Sequence, residues 1–91
     1  MKLKTLTLTD IARIGIIMDD PWGDGIRLEQ IRNPSPARMA ALAEVRGEPF
    51  LDGETLIREA YESVARDPGL WTKKGDPVFW LKQRLIELDN T

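Results

Sequence analysis

The first residues of the chain alternate between polar and apolar side chains, which is the spacing of a β-strand. Between residues 2 and 9, Leu6 and Leu8 would face one side of an extended segment and three threonines would face the other. Threonine is also a good strand former. We therefore expect an N-terminal strand over residues 2–9. It would need a pairing partner within the chain or across a dimer, because an unpaired edge is a liability.

The next segment, DIARIGIIMDD, is compatible with two structures. Thr9 or Asp10 would cap a helix running to about Asp19, but the isoleucines of this segment lie all round a helical wheel. Gly15 would also cost about 1 kcal/mol in a helix interior. The residues from Ile11 to Met18 therefore form either a fully buried helix or a buried strand.

Capping residues and helix breakers divide the rest of the chain into helices. Ser35 followed by Pro36 is a typical helix start, and Gly47 is a typical stop. Asp52 and Asp76 are further capping residues. They predict a helix over residues 53–66 and a last helix from residue 77 to about residue 88. A weak pattern over residues 26–33 indicates one or two helical turns.

Length and composition fit a modest globular fold. A chain of 91 residues has room for one hydrophobic core, and 42% hydrophobic residues is ordinary for a globular domain. The predicted fold class is mainly α, or α+β at the margin. It consists of one N-terminal strand followed by about four short helices in a single small domain over residues 1–91.

Charge and missing residue types exclude several functions. The 13 basic and 15 acidic residues give a net charge of −2, which is not the basic footprint of a general nucleic-acid binder. The absence of cysteine excludes disulfides, thiolate catalysis and cysteine-ligated metals. The absence of histidine removes the commonest general base near pH 7 and the commonest metal ligand.

Nothing in the sequence predicts a membrane segment. The N-terminus lacks the apolar centre of a signal peptide. The longest apolar run, Ile14 to Met18, is far shorter than the roughly 18 residues that span a bilayer. We expect a cytoplasmic protein with no membrane partner.

The loop MDDPWGDGI, residues 18–26, concentrates aspartate, glycine and one tryptophan. As a calcium loop beginning at Asp20 it would place Asp24 at position 5 and a glycine at position 6. Trp22 at position 3 and Ile31 at position 12 supply no carboxylate where that loop needs oxygen ligands. We therefore expect no metal and no cofactor.

The same loop fits a tight turn, because proline and glycine suit turn positions and aspartate bonds back to the local backbone. Trp22 then has two alternative fates: it packs into the core, or it is displayed to a partner. In the second case Asp19, Asp20 and Asp24 would form an acidic rim around Trp22, suited to a basic partner surface.

The last helix carries a second tryptophan. Its predicted core stripe comprises Val78, Leu81, Leu85 and Leu88, widened on one flank by Phe79 and Ile86. Trp80 lies on the other side, beside Arg84. A large aromatic side chain on the polar face of an amphipathic helix indicates a contact surface. The alternative is that Trp80 packs beneath the loop of residues 71–75.

No arrangement of side chains predicts catalysis. Glu59 and Glu62 lie one turn apart on what we expect to be an exposed helix flank, where charges are solvated. Acid catalysis needs a carboxyl group in a desolvated pocket. The glycines at 23 and 25 lack the lysine of a phosphate-binding loop. We expect neither an enzyme nor a small-molecule substrate.

Two short strings resemble DNA-binding families. TLTLTDIA, residues 5–12, is similar to the start of lactose-repressor-type helix-turn-helix headpieces, whose recognition helix would begin at Asp19-Asp20-Pro21 here. Carboxylates repel phosphates at that position, and proline breaks a helix.

LIREA, residues 56–60, resembles the second helix of ribbon-helix-helix proteins. Those proteins pair an N-terminal strand across a dimer and insert it into the major groove. The resemblance implies a DNA-contacting strand over residues 2–9, with its threonines and with Lys2 and Lys4 toward the DNA. The strand and LIREA lie farther apart in this chain than that fold requires.

The sequence favours a small, cytoplasmic, non-catalytic protein that binds another protein and that forms a homodimer in one version of the hypothesis. An inhibitor, an adaptor or an assembly accessory protein would fit, as is common among small bacterial and phage proteins. The partner-binding residues would be Trp22 with Asp19, Asp20 and Asp24, and Trp80 with Arg84. The alternative is a dimeric, sequence-specific DNA-binding regulator that uses the N-terminal strand.

Overall fold

The computed structural model describes residues 3–18, 28–66 and 77–90, which form five α-helices. The helices are α1 (Leu8–Met18), α2 (Leu28–Arg32), α3 (Pro36–Arg46), α4 (Gly53–Arg66) and α5 (Pro77–Asp89). The prediction of a mainly helical fold is confirmed. Each helix contributes buried apolar side chains to one cluster, which Leu6 of the N-terminal segment also joins. No helix in the described ranges is long and apolar enough to cross a membrane.

The strand predicted over residues 2–9 is wrong in the part that the structure describes, where no strand forms. Helix α1 already begins at Leu8 because Thr7 and Asp10 form a reciprocal capping pair. The Asp10 N–H donates to Thr7 Oγ1 at 3.1 Å, and the Thr7 N–H donates to Asp10 Oδ2 at 3.2 Å. The cap is therefore Thr7, and neither Thr9 nor Asp10 has that role.

The segment before α1 finds hydrogen-bond partners on α4. The Leu6 N–H donates to Ser63 Oγ at 2.7 Å, and the Lys4 N–H donates to Glu59 Oε1 at 3.3 Å. These two side chains satisfy amides that a neighbouring strand would otherwise have to pair. Leu6 is buried beneath this contact. The alternation of leucine and threonine therefore belongs to an irregular segment that packs against α4 and buries one leucine, Leu6.

We expect Thr7→Ala to lower the free energy of unfolding by about 1 kcal/mol, because the first turn of α1 loses its cap. Thr5→Ala is the matched control, since Thr5 is an exposed threonine outside the helix. Urea unfolding followed by circular dichroism measures both. Equal stabilities for the two variants would contradict the capping role of Thr7.

The ambiguous segment from Ile11 to Met18 is helical. Ile11, Ile14 and Met18 are buried on one face of α1, whereas Ile16 is 69% exposed. The spacing of the buried positions is that of a helix. The isoleucines that appeared to surround the helix thus divide into a core face and an exposed position.

The helix bounds predicted from caps and breakers are confirmed for α3 and α4. Ser35 Oγ accepts the Arg38 N–H at 3.3 Å, and Gly47 ends α3 with a φ of 86°. Asp52 Oδ1 accepts the Thr55 N–H at 2.8 Å at the start of α4. Helix α4 begins in tight contact with the end of α2, at the buried Gly53.

A candidate interaction groove beside α5

Helix α5 turns one narrow face toward the core and leaves a flank on either side. Leu81 and Leu88 are buried, and Leu85 is partly buried against them. Ile86 was expected to widen the core stripe, but it is 53% exposed. The side chains of Val78 and Phe79 lie outside the described ones. The two flanks of α5 are the candidate contact surfaces.

A groove of about 700 Å³ lies between the Ile86 flank of α5, α4 and the N-terminal segment. Its apolar lining comes from Leu3, Tyr61, Leu85 and Ile86. Its charged lining comes from Arg58, Glu62, Lys82 and Asp89. The groove is open to solvent. It combines an apolar floor with charges of both signs, which is the composition of a binding patch with a polar rim.

One end of the groove is fixed by an ion-pair network. Arg58 Nη2 lies 2.5 Å from Asp89 Oδ1 and 3.0 Å from Glu54 Oε1, so that it joins α4 to the end of α5. The hydrogen bond that Arg58 donates to Asp89 is the largest cause that raises the pKa of Arg58 above its usual value, followed by the hydrogen bond it donates to Glu54. The side chains of Arg58 and Asp89 are 41% and 59% exposed, so water screens the pair, which orders the rim and adds little stability.

The opposite flank of α5 carries Trp80 and Arg84. Trp80 is half-buried and packs against the core, and the guanidinium carbon of Arg84 lies 5.8 Å from the centroid of its ring. Arg84 Nη1 also contacts Glu87 Oε2 at 2.7 Å. Trp80 Nε1 and Arg84 Nε are buried and have no hydrogen-bond acceptor within the described residues. The structure therefore brings the two predicted partner-binding residues together.

The other predicted contact residues cannot be placed beside them. Trp22, Asp19, Asp20 and Asp24 lie outside the described residues. The hypothesis of a recognition loop around Trp22 stays a prediction from the sequence.

The interpretation of Glu59 as a solvated carboxylate is wrong. Its side chain is 1% exposed and accepts two hydrogen bonds from Arg46, each at 2.6 Å, through Nε and Nη2. It also accepts the Lys4 N–H. The hydrogen bond to Glu59 is the largest cause that raises the pKa of Arg46 above its usual value. Glu62 is exposed, as expected.

Lys4, Arg46 and Glu59 form a hydrogen-bonded cluster that stabilises the fold at the end of α3. Lys4 Nζ donates to the Arg46 carbonyl at 2.6 Å, and Arg46 Nη1 donates to the Pro49 carbonyl at 2.7 Å. Both Glu59 carboxylate oxygens are occupied by donors of the chain itself. The cluster therefore has a structural role. Within the described ranges, no group of three or more acidic side chains could hold a metal ion.

Sequence reasoning missed the groove because two of its walls come from distant parts of the chain. One signal was readable: Lys82, Leu85, Ile86 and Asp89 are spaced i, i+3, i+4 and i+7, which places them on one helix face. The Arg46–Glu59 pair had no such signal, since 13 residues separate its members across a loop.

Comparison with protein-family models, with curated proteins and with solved structures found no significant match to this chain.

Proposed function

We propose that this chain is a non-catalytic module that binds another protein through the groove between α4 and α5. The observation that carries the proposal is the half-exposed Ile86, at the edge of an apolar floor with a charged rim. An apolar side chain exposed beside a concavity is typical of a contact surface, because burying it against a partner is favourable.

The form of the groove favours a protein partner over a small molecule. Small-molecule sites enclose most of the ligand surface, whereas this groove is partly open to solvent. Arg58 and Lys82 supply positive charge to its rim, and Glu62 and Asp89 supply negative charge. A fitting partner offers an apolar side chain flanked by charges of both signs, as an amphipathic helix does.

Trp80 and Arg84 form a second contact surface in this proposal. The position of Trp80 next to Arg84 supports this role, since both residue types are frequent at the energetic centres of interfaces.

The proposal is tested by affinity capture from a native lysate, run with and without nuclease. We expect Ile86→Asp to lose the captured protein by at least about tenfold, because it places a charge on the apolar floor. Ile16→Asp is the matched control, since Ile16 is also an exposed isoleucine but lies on α1. Quantitative mass spectrometry of the captured proteins gives the ratio. Trp80→Ala, run beside them, reports on the second surface.

Circular dichroism must first show that the variants keep the helical content of the wild type. Equal capture by Ile86→Asp and the wild type would contradict the proposal. Capture of DNA that nuclease abolishes would instead support the DNA-binding alternative. That alternative now lacks its strand, because residues 3–7 are irregular and the segment is hydrogen-bonded to α4.

A further inference from the structure

Residues 3–6, here called the strap, are attached to α4 without any backbone pairing. The Leu6 N–H donates to Ser63 Oγ, and the Lys4 N–H donates to Glu59 Oε1. The Lys4 ammonium group also reaches the end of α3. Within the described ranges, no N–H or carbonyl group of the strap bonds to another backbone group. The strap is therefore held by three hydrogen bonds that involve side chains and by one buried leucine.

The side chains that receive the strap have other partners in the fold. Ser63 Oγ donates to the Glu59 carbonyl at 2.8 Å, within α4. The Glu59 carboxylate accepts two hydrogen bonds from Arg46, each at 2.6 Å. Departure of the strap would therefore strand neither a buried charge nor a buried hydroxyl, which are the losses that make opening costly. What opening loses is the packing of Leu6, which is 4% exposed, and hydrogen bonds that water can replace.

Helix α1, which follows the strap, has supports of its own. Thr7 and Asp10 cap each other, so the first turn of α1 does not depend on the strap. Ile11, Ile14 and Met18 anchor the helix in the core. A terminal segment with few buried contacts belongs to the least stable part of a fold, which opens without global unfolding. The strap can thus leave as a unit while α1 stays in place.

The strap also forms part of the groove between α4 and α5. Leu3 lines the groove together with Tyr61 and Glu62 of α4. Leu3 and Leu6 belong to the same short segment, so release of Leu6 from the core also withdraws Leu3 from the groove. The shape of the groove therefore depends on whether the strap is closed.

We propose that the strap is a detachable wall of the groove, which opens while the helices stay folded, and that its closed state is the one that binds. The inference rests on the proposed function of the groove and adds its regulation. A ligand that contacts Leu3 holds the strap closed, and closure in turn strengthens binding, because such coupling is reciprocal. The fraction of chains with a closed strap then scales the apparent affinity.

Amide hydrogen exchange of the wild type, followed by NMR at low urea concentrations, tests the opening without any variant. It compares the Leu6 amide with the amides of Ile57 and Ala60, which are buried in α4. After correction for intrinsic rates, Leu6 should exchange at least about a hundredfold faster than both. Its rate should also rise less steeply with urea, because local opening exposes little surface.

Two results of this measurement would overturn the inference. Equal rates and equal urea dependence for Leu6 and the α4 amides would mean that the strap is released only when the whole chain unfolds. A Leu6 amide with no protection at all would mean that the strap does not close.

A variant with an open strap tests the same independence. Leu6→Asp places a carboxylate in an apolar site and should hold the strap open. Thr5→Asp is the matched control, since Thr5 is exposed on the same strap. We expect both variants to keep the helical circular dichroism of the wild type, and the Lys4 amide to lose its protection in Leu6→Asp alone. Loss of the helices in Leu6→Asp would show that the strap is an inseparable part of the core and would contradict the inference.

Affinity capture then separates the strap from the groove. Leu6→Asp should retain at least about tenfold less of the protein that Ile86→Asp loses, whereas Thr5→Asp should retain as much as the wild type. Unchanged capture by Leu6→Asp would contradict the regulation. If Ile86→Asp captures as much as the wild type, the proposed function fails and the regulation fails with it, whereas the exchange rates still decide whether the strap opens.

Discussion

Replacing Gly53 with alanine is expected to lower the free energy of unfolding by at least about 3 kcal/mol, the upper range for overpacking a core. An added Cβ would lie 1.6 Å from the carbonyl oxygen of Ile31 and 3.2 Å from Pro34 Cγ. The nearest atom belongs to the backbone of α2, so no side-chain rotation relieves the clash. Helix α4 would have to move away from α2. Urea unfolding followed by circular dichroism measures the loss.

Gly15→Ala is the matched control for this prediction. Gly15 lies inside α1. Apart from its two chain neighbours and the backbone of its own helix, no heavy atom lies within 4 Å of a Cβ added at this position. Alanine is the better helix former, so this variant should gain about 0.5–1 kcal/mol. A similar change in stability for both variants would show that glycine is not required at position 53 for close packing.

Arg46→Met is expected to lower the free energy of unfolding by about 3–5 kcal/mol. The change leaves the Glu59 carboxylate, which is 1% exposed, without its guanidinium partner. It also removes the donor to the Pro49 carbonyl, which orders the connection between α3 and α4. Chemical denaturation at neutral pH gives the size of the loss.

Two further variants distinguish the effect of burying an ion pair from the effect of removing a charge. Arg58→Met removes two partly exposed ion pairs, with Asp89 and with Glu54, and it should cost no more than about 1 kcal/mol. Adding Glu59→Leu to Arg46→Met removes the stranded carboxylate and should recover part of the loss. If Arg46→Met and Arg58→Met were equally mild, the buried pair would not be a main support of the fold.

The helices were predictable where the sequence contains local terminating signals. Ser35, Gly47 and Asp52 act within a few residues of their own positions, so their effects can be read without knowing the fold. The predicted N-terminal strand does not form in the described residues, because a capping pair starts helix α1 within the stretch where leucine and threonine alternate. Thr7 and Asp10, three residues apart, were the readable signal for the start of α1.

The site was less predictable because long-range contacts create it. Glu59 looked like a surface residue, since its partners Lys4 and Arg46 lie 55 and 13 residues away. Ile86 looked like a core residue, since hydrophobic spacing alone does not show where α4 leaves a gap. Only the neighbouring elements decide which flank of an amphipathic helix is covered.

The docking of the N-terminal segment also constrains the order of events during synthesis. The Leu6 amide bonds to Ser63, which lies 57 residues later in the chain. The ribosome adds roughly 5–20 residues per second, so residue 6 waits seconds for its partner to be made. Helix α1 and its cap can form locally in that interval, because they need only nearby residues. The N-terminal segment, which is synthesised first, therefore forms its hydrogen bond to Ser63 only after α4 has been synthesised.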